Sequence, residues 1–442
     1  MKTSLSQLVL LLLPVLAFSQ NLYFPPLTGS TWETLSPASL GWCEDKIQPL
    51  YDFLDEENTK AFIVLKDGKI VLEKYFDNFT QDSFWYWASA GKTVTSMLVG
   101  IAQQEGFLSI EDKTSDYLGT GWTACPPEKE ALITVRHQLT MTSGLDDGVE
   151  DPYCTLDTCL VYEADAGSRW AYHNGPYTLL DKVIESATGS TLNNFYLQKL
   201  RSKTGMNGLF LPAGYNNVLF TNARSMARFG LLALNGGNWN NTPVLNDPAF
   251  FEQSVNTSQD LNLSYGYLWW LNGKATFMVP ELQIVFPGSL FPDAPLDMFA
   301  AMGKNGQFIN VVPSQRLVLV RMGEAPDNSL VPYFLNNLIW QYLKDVICEN
   351  TTAVKEKDNY DFYLSPNPAD QTVRLHFPDA GNFFHVEVYN LLGERQIVGY
   401  ENGEMDVRHL PSGMYLVRVT NEASAGKDGR RASSFFSFLM KK

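Results

Sequence analysis

Trp87-Ala88-Ser89-Ala90-Gly91-Lys92-Thr93-Val94 is the stretch on which the reading of this chain turns. After it, Val94, Met97, Leu98 and Ile101 recur at helical spacing, and Gly106 stands where a helix would end. Ser89 therefore opens a buried helix, and Lys92, three residues on, projects from the same face within reach of the serine oxygen. A serine hydroxyl is a poor nucleophile until a neighbouring base takes its proton, so this spacing is chemically meaningful. The letters alone are weak evidence, because Ala423-Ser424-Ala425-Gly426-Lys427 repeats them. That copy lies in a polar, glycine-containing stretch with no apolar helix behind it. Context selects Ser89.

Working outward, Ile47 to Leu54 reads as a helix. Phe62-Ile63-Val64-Leu65 and Ile70-Val71-Leu72 read as a hairpin turning on Asp67-Gly68. Far downstream, Met298 to Met302 and Leu317 to Arg321 read as strands. Leu335, Leu338, Ile339, Tyr342 and Val346 form the stripe of a final helix. Helix and hairpin first, strands and helix last, with a long helical middle, predict an α+β domain. Its antiparallel sheet is built from both ends of the chain and carries an inserted helical lobe. The polar run 349–361 reads as a linker. Beyond it, short alternating strands around Val373, Val388, Val417 and Phe438 predict a small β-sandwich over 362–442.

Lys2, the apolar run Leu8 to Leu16 and Ala17-Phe18-Ser19 read as a signal peptide over 1–19, leaving 20–348 for the larger domain. The apolar run is shorter than the roughly 20 residues that span a bilayer, and no later stretch reads as transmembrane. A net charge of −15 argues against nucleic acid and anionic membranes as partners. The five cysteines contain no Cys-x-x-Cys pair, His-Glu-x-x-His is absent, and neither metal nor cofactor is expected. In an oxidising compartment an odd count leaves at least one thiol unpaired, and the pairing stays open.

Two further elements bear on chemistry. Tyr172-His173-Asn174 offers a phenol whose ordinary pKa, about 10, bars it from acting as a base unaided. Lys92, and Lys304 in Gly303-Lys304-Asn305-Gly306-Gln307, are ammonium groups that would lower it if they stood close. Taken singly, Tyr172 fits a core position and Lys304 a turn. Ser-x-x-Lys, Tyr-x-Asn and Lys-x-Gly in this order resemble the three motifs of the serine β-lactamase and penicillin-binding-protein superfamily. The Tyr-x-Asn form is similar to its class C branch, which also holds esterases, D-amino-acid amidases and nylon-oligomer hydrolases. The resemblance runs from about Trp42 to Cys348. It takes in Ile133 to Leu145, Ala227-Arg228-Phe229-Gly230 and Tyr265-Gly266-Tyr267-Leu268-Trp269-Trp270.

The resemblance implies an acyl-enzyme on Ser89, with Lys92 and Tyr172 moving its proton. Asn174 would bind the substrate and Lys304 would supply a positive field. The backbone N–H groups of Ser89 and Gln307 would form the oxyanion hole, with Asn305 and Gly306 lining the substrate site. Members that take penicillins carry Lys-Thr-Gly or Lys-Ser-Gly, and here Asn305 replaces the hydroxyl. That favours a small ester or amide over a β-lactam or D,D-peptide. A Ser-His-Asp enzyme is disfavoured: no Gly-x-Ser-x-Gly elbow occurs, and His137 reads as structural. A non-catalytic peptide-binding relative would be expected to have lost Ser89, Lys92 or Tyr172.

The tail resembles a second family. Tyr363-Leu364-Ser365-Pro366-Asn367-Pro368, Val388-Tyr389-Asn390-Leu391-Leu392-Gly393 and Leu410-Pro411-Ser412-Gly413-Met414-Tyr415 are similar to the type IX secretion sorting domain of Bacteroidetes. This implies the secretion machinery as a partner and a product released or held at the cell surface.

Overall fold

The computed structural model describes residues 22–324 and 331–348, and in the tail 363–365, 369–376, 384–390, 395–401, 403–411, 413–421 and 434–441. The leader, the linker at 349–361 and Ser424 lie outside the described residues. The strands that matter for the site are β1 (Thr59–Lys66), β2 (Lys69–Tyr75), β3 (Trp85–Tyr86), β4 (Leu209–Ala213), β5 (Asn216–Thr221), β6 (Trp270–Leu271), β7 (Phe299–Gly303), β8 (Gln307–Val312) and β9 (Leu317–Gly323). The principal helices are α1 (Ile47–Glu56), α2 (Lys92–Gln104), α3 (Asn174–Thr178), α4 (Leu180–Thr188), α5 (Ala223–Leu234) and α6 (Tyr333–Ile347).

A six-stranded sheet runs in the order β2-β1-β9-β8-β7-β6, and its paired strands are antiparallel. Ala61 to Leu65 and every residue of β8 and β9 are buried, so both faces of the sheet are covered. Helix α5 lies against β1, β8 and β9. Its Gly230 lets it approach closely, since a Cβ there would meet Val318 Cγ1 at 2.4 Å. The terminal helices α1 and α6 pack on each other through Phe53 stacked on Tyr342 at 4.4 Å. The expected hairpin is present: Asp67 and Gly68 both take positive φ between the paired Lys66 and Lys69. A Cβ on Gly68 would fall 1.9 Å from Tyr23 O, so the early segment crosses this turn on bare backbone.

Between β2 and β6 the inserted lobe carries α2 to α5 and a small sheet ordered β3-β5-β4. Strand β8 had no counterpart in the sequence reading, because a strand buried on both faces shows no alternation. Disulfides join Cys43, just before α1, to Cys348, just after α6, and Cys154 to Cys159, while Cys125 is free. The tail forms β10 (Tyr363–Ser365), β11 (Thr372–His376), β12 (Phe384–Asn390), β13 (Arg395–Gln396), β14 (Gly399–Glu401), β15 (Glu404–Asp406), β16 (Gly413–Asn421) and β17 (Ser434–Lys441). Two four-stranded sheets result, ordered β10-β11-β15-β14 and β13-β12-β16-β17. Val373, Leu375, Val388, Met405, Val417 and Val419 fill a core of their own.

Candidate active site

Ser89 lies in a 3-10 turn, Ala88–Gly91, that runs directly into α2. Ala88 takes φ 47°, a left-handed conformation that a side-chain-bearing residue adopts only when its surroundings impose it. Trp87 imposes it from one side. The residue is fully buried, its Nε1 donates to Thr221 Oγ1 at 2.7 Å, and its N–H donates to Leu219 O at 2.8 Å. Gly303, the last residue of β7, holds the turn from the other side. A Cβ on it would stand 2.4 Å from Trp87 O, 2.9 Å from Ala90 N and 3.0 Å from Ser89 N. Bare backbone of β7 therefore lies against the Ser89 turn, and Ser89 itself stays only half-buried.

Lys92, one turn along, is 4% exposed, and its Nζ donates to Asn174 Oδ1 at 2.8 Å. The ammonium sits 3.8 Å over the Tyr177 ring and 5.4 Å from the Tyr172 ring. Burial pushes its pKa down to about 7, and the nearby Asp181 carboxylate works against that fall. Tyr172 is buried and stacks on Trp270 at 5.7 Å, with Tyr265 edge-on. The Tyr265 to Trp270 segment thus walls the phenol. Burial pushes the Tyr172 phenol above its ordinary range, and the facing Ser89 hydroxyl is the neighbour that opposes this. The expectation that two ammonium groups depress this phenol is therefore corrected: neither Lys92 nor Lys304 is among the groups that move it, desolvation dominates, and the phenol keeps its proton at neutral pH.

The third segment departs further from expectation. Lys304 directly follows the last residue of β7, as the sequence suggests, and is solvent-exposed in the hairpin turn Lys304–Gly306 between β7 and β8. Asn305 takes φ 64° and donates its amide to the Tyr86 hydroxyl. Gly306 packs on Arg321, whose buried guanidinium donates to Asn305 O at 3.0 Å, Gly306 O at 2.8 Å and Thr59 Oγ1 at 2.9 Å. The Gln307 side chain is fully buried. It donates to Gly323 O at 2.7 Å and accepts from Gly323 N at 3.1 Å, which ties the hairpin to β9. The segment shown against Ser89 N is Gly303, upstream of the four residues singled out from the sequence.

Three residues at the centre were not read from the sequence: Gly303, Tyr177 and Asp181. The last two do follow a signal, since Tyr177, Leu180, Asp181 and Ile184 fall on one stripe of α3 and α4. His137 is structural as expected, its Nδ1 capping the short helix Val135–Leu139 through Thr134. His173 is 2% exposed, and burial holds its pKa down to about 4, so it is neutral. Among the described residues no cluster of His, Cys, Asp or Glu suits a metal ion, and no helix is long and apolar enough to cross a membrane.

A β-lactamase family model matches residues 56–329, and a secretion system C-terminal sorting domain model matches 363–428. The chain belongs to the β-lactamase family of serine hydrolases and carries a type IX sorting domain that marks it for export. Penicillin-binding protein 4* of Bacillus subtilis is 29% identical over 204 residues. That match takes in 40% of this chain and 42% of the relative, so less than half of that protein's length is spanned. A Bacillus anthracis structure assigned as a 6-aminohexanoate-dimer hydrolase superposes with a TM-score of 0.54 at 18% identity, over 74% of this chain and 90% of that one. A family VIII carboxylesterase gives 0.52 at 14% identity, over 68% and 96%. The structural matches bear on the fold alone.

Proposed function

We propose that this protein is an exported hydrolase that forms an acyl-enzyme on Ser89 and acts on uncharged esters or amides. The reading rests on the convergence of three separate segments: the Ser89 turn with Lys92, the Tyr172–Asn174 stretch whose phenol faces Ser89 and whose amide oxygen takes Lys92, and the Gly303 backbone against the turn. Near neutral pH a large fraction of Lys92 is the free amine, and it takes the Ser89 proton as Oγ attacks the carbonyl. The protonated Tyr172 phenol is placed to hand a proton to the departing alkoxide or amine and is recharged from Lys92. Asn174 Oδ1 holds Lys92, which leaves its amide N–H groups to face the acyl side. The close approach of the Gly303 backbone to Ser89 N supports an oxyanion hole made by the N–H of Ser89 and the N–H that follows Gly303. Water then repeats the sequence to release the acid.

The third segment supports the substrate class. Ala301, Met302 and Gly303 of β7 are buried and carry no charge, Lys304 faces solvent, and the Asn305 amide is taken by Tyr86. A substrate carboxylate would meet no buried cation among the described residues of this segment, and a lost charge-assisted bond costs roughly 1.5–3 kcal/mol, about 10- to 150-fold in kcat/KM. Intact-mass measurement after fluorophosphonate treatment should show one adduct that Ser89→Ala abolishes. A chromogenic panel should rank short esters or neutral amides above penicillins and cephalosporins. Labelling that survives in Ser89→Ala, or cephalosporin turnover exceeding that of the best ester, would overturn the respective half of the reading.

A further inference from the structure

Asp181 is 3% exposed on α4, at a stripe position that faces α2. Its Oδ2 accepts from Asn217 Nδ2 on β5 at 3.0 Å, while its Oδ1 is buried with no hydrogen-bond donor among the described residues. A half-satisfied buried carboxylate costs several kcal/mol unless a cation stands near, and an apolar residue at the same position would pack without that cost. The acid therefore calls for an explanation beyond packing. Its neighbours supply one. One helical turn back along the same face is Tyr177, and over the Tyr177 ring, at 3.8 Å, sits Lys92 Nζ.

We propose that Asp181 is a positioning residue for the hydrolysis, a buried anion behind Lys92 that governs the pH at which this lysine gives up its proton. The inference rests on the Ser89 reading above. Lys92 is the one cation facing Asp181 from α2 and, among the described residues, it has no carboxylate bonded to it. On α4 itself Glu185 opposes ionisation of Asp181, and Lys182, paired with Glu185 at 2.9 Å, favours it. From α3, Tyr177 is held neutral by burial. From the other helices packed on α4, Tyr117 is bonded to Asp112, Asp116 is exposed, Arg136 is paired with Glu111, and His137 is bonded to Thr134. From Leu192–Tyr196, Tyr196 donates to Asn207 O. Burial drives Lys92 down and Asp181 up, both to about 7, so each charge sustains the other. Removing the anion should make the ammonium more acidic, and the free amine that attacks Ser89's proton should then persist to lower pH.

The test compares the pH dependence of fluorophosphonate acylation and of ester kcat/KM in wild type, Asp181→Asn, Asp181→Glu and Asn217→Ala. Asp181→Asn keeps an acceptor for Asn217 but removes the charge. The acid limb should move down by about one pH unit, so that below it the variant retains on the order of tenfold more of its own plateau rate. Asp181→Glu should return the limb toward wild type. Asn217→Ala, which withdraws the bond favouring the ionised carboxylate, should shift it the same way by less, and it decides the matter if Asp181→Asn does not fold. A limb that stays in place or moves up, with labelling still dependent on Ser89, overturns this inference alone. Labelling independent of Ser89 defeats the underlying reading instead.

Discussion

Gly303→Ala adds one methyl where β7 meets the Ser89 turn, and its consequence follows from contact distances. The new Cβ would lie 2.4 Å from Trp87 O, 2.9 Å from Ala90 N and 3.0 Å from Ser89 N. All three are backbone atoms, so no side chain can swing aside. Restoring ordinary contact of about 3.5 Å to Trp87 O requires β7 and the turn to separate by roughly 1 Å. Trp87 cannot yield freely, because its indole and its N–H are both committed to β5, through Thr221 Oγ1 and Leu219 O. Overpacking of this kind costs about 1–3 kcal/mol, or a Tm loss of roughly 2–10 °C in a unit of this size. Activity should suffer more than stability, since a displacement of about 1 Å at the reacting centre is worth on the order of 10² in rate. Calorimetry and single-turnover acylation by a p-nitrophenyl ester on the same preparation would give both numbers. A variant acylated at the wild-type rate would refute the claim that the Gly303 backbone completes the site.

Further outcomes bear on the proton path and on export. Lys92→Ala and Tyr172→Phe should each lower kcat/KM by on the order of 10² or more, and the double variant should lose far less than the product of the two, as measured by steady-state kinetics. Because burial penalises the Lys92 ammonium, the free base exists mainly above about pH 7, so kcat/KM should fall tenfold per unit on the acid side and stay level above it. The phenol must keep its proton, and burial raises its pKa, so stopped-flow rates should show no alkaline loss below about pH 10. A chain ending after Cys348 should hydrolyse esters normally yet remain in the periplasm of its host, which fractionation and immunoblotting would show.

The Ser89 helix, the Asp67-Gly68 hairpin and the closing helix were legible because each is a local pattern: an apolar period, a turn dipeptide, a stripe. The same turn rule applies to Asn305-Gly306, where both residues take positive φ, but the Lys-x-Gly string drew attention away from it. Lys304 therefore stands between the end of β7 and the dipeptide that forms the hairpin tip. Gly303 could not be singled out, since its importance lies in a close approach between segments more than two hundred residues apart. Asp181 sat in view on an apolar stripe, an acid where a leucine would serve. Only burial and the partner across α2 reveal what it faces. The Tyr172 environment shows the remaining limit, because proximity of charges is readable from motifs whereas desolvation is not.

The bond between Cys43 and Cys348 closes everything from α1 to α6 into a covalent ring, with 305 positions separating the two cysteines. It can close only after Cys348 has reached the oxidising side, so nearly the whole unit must be delivered before the last link is made. Once closed, a cut at any exposed loop within the ring leaves the pieces joined. An exopeptidase trimming from either terminus would meet the cross-link before reaching the first or last helix. Export and durability are in this way coupled through a single pair of sulfur atoms.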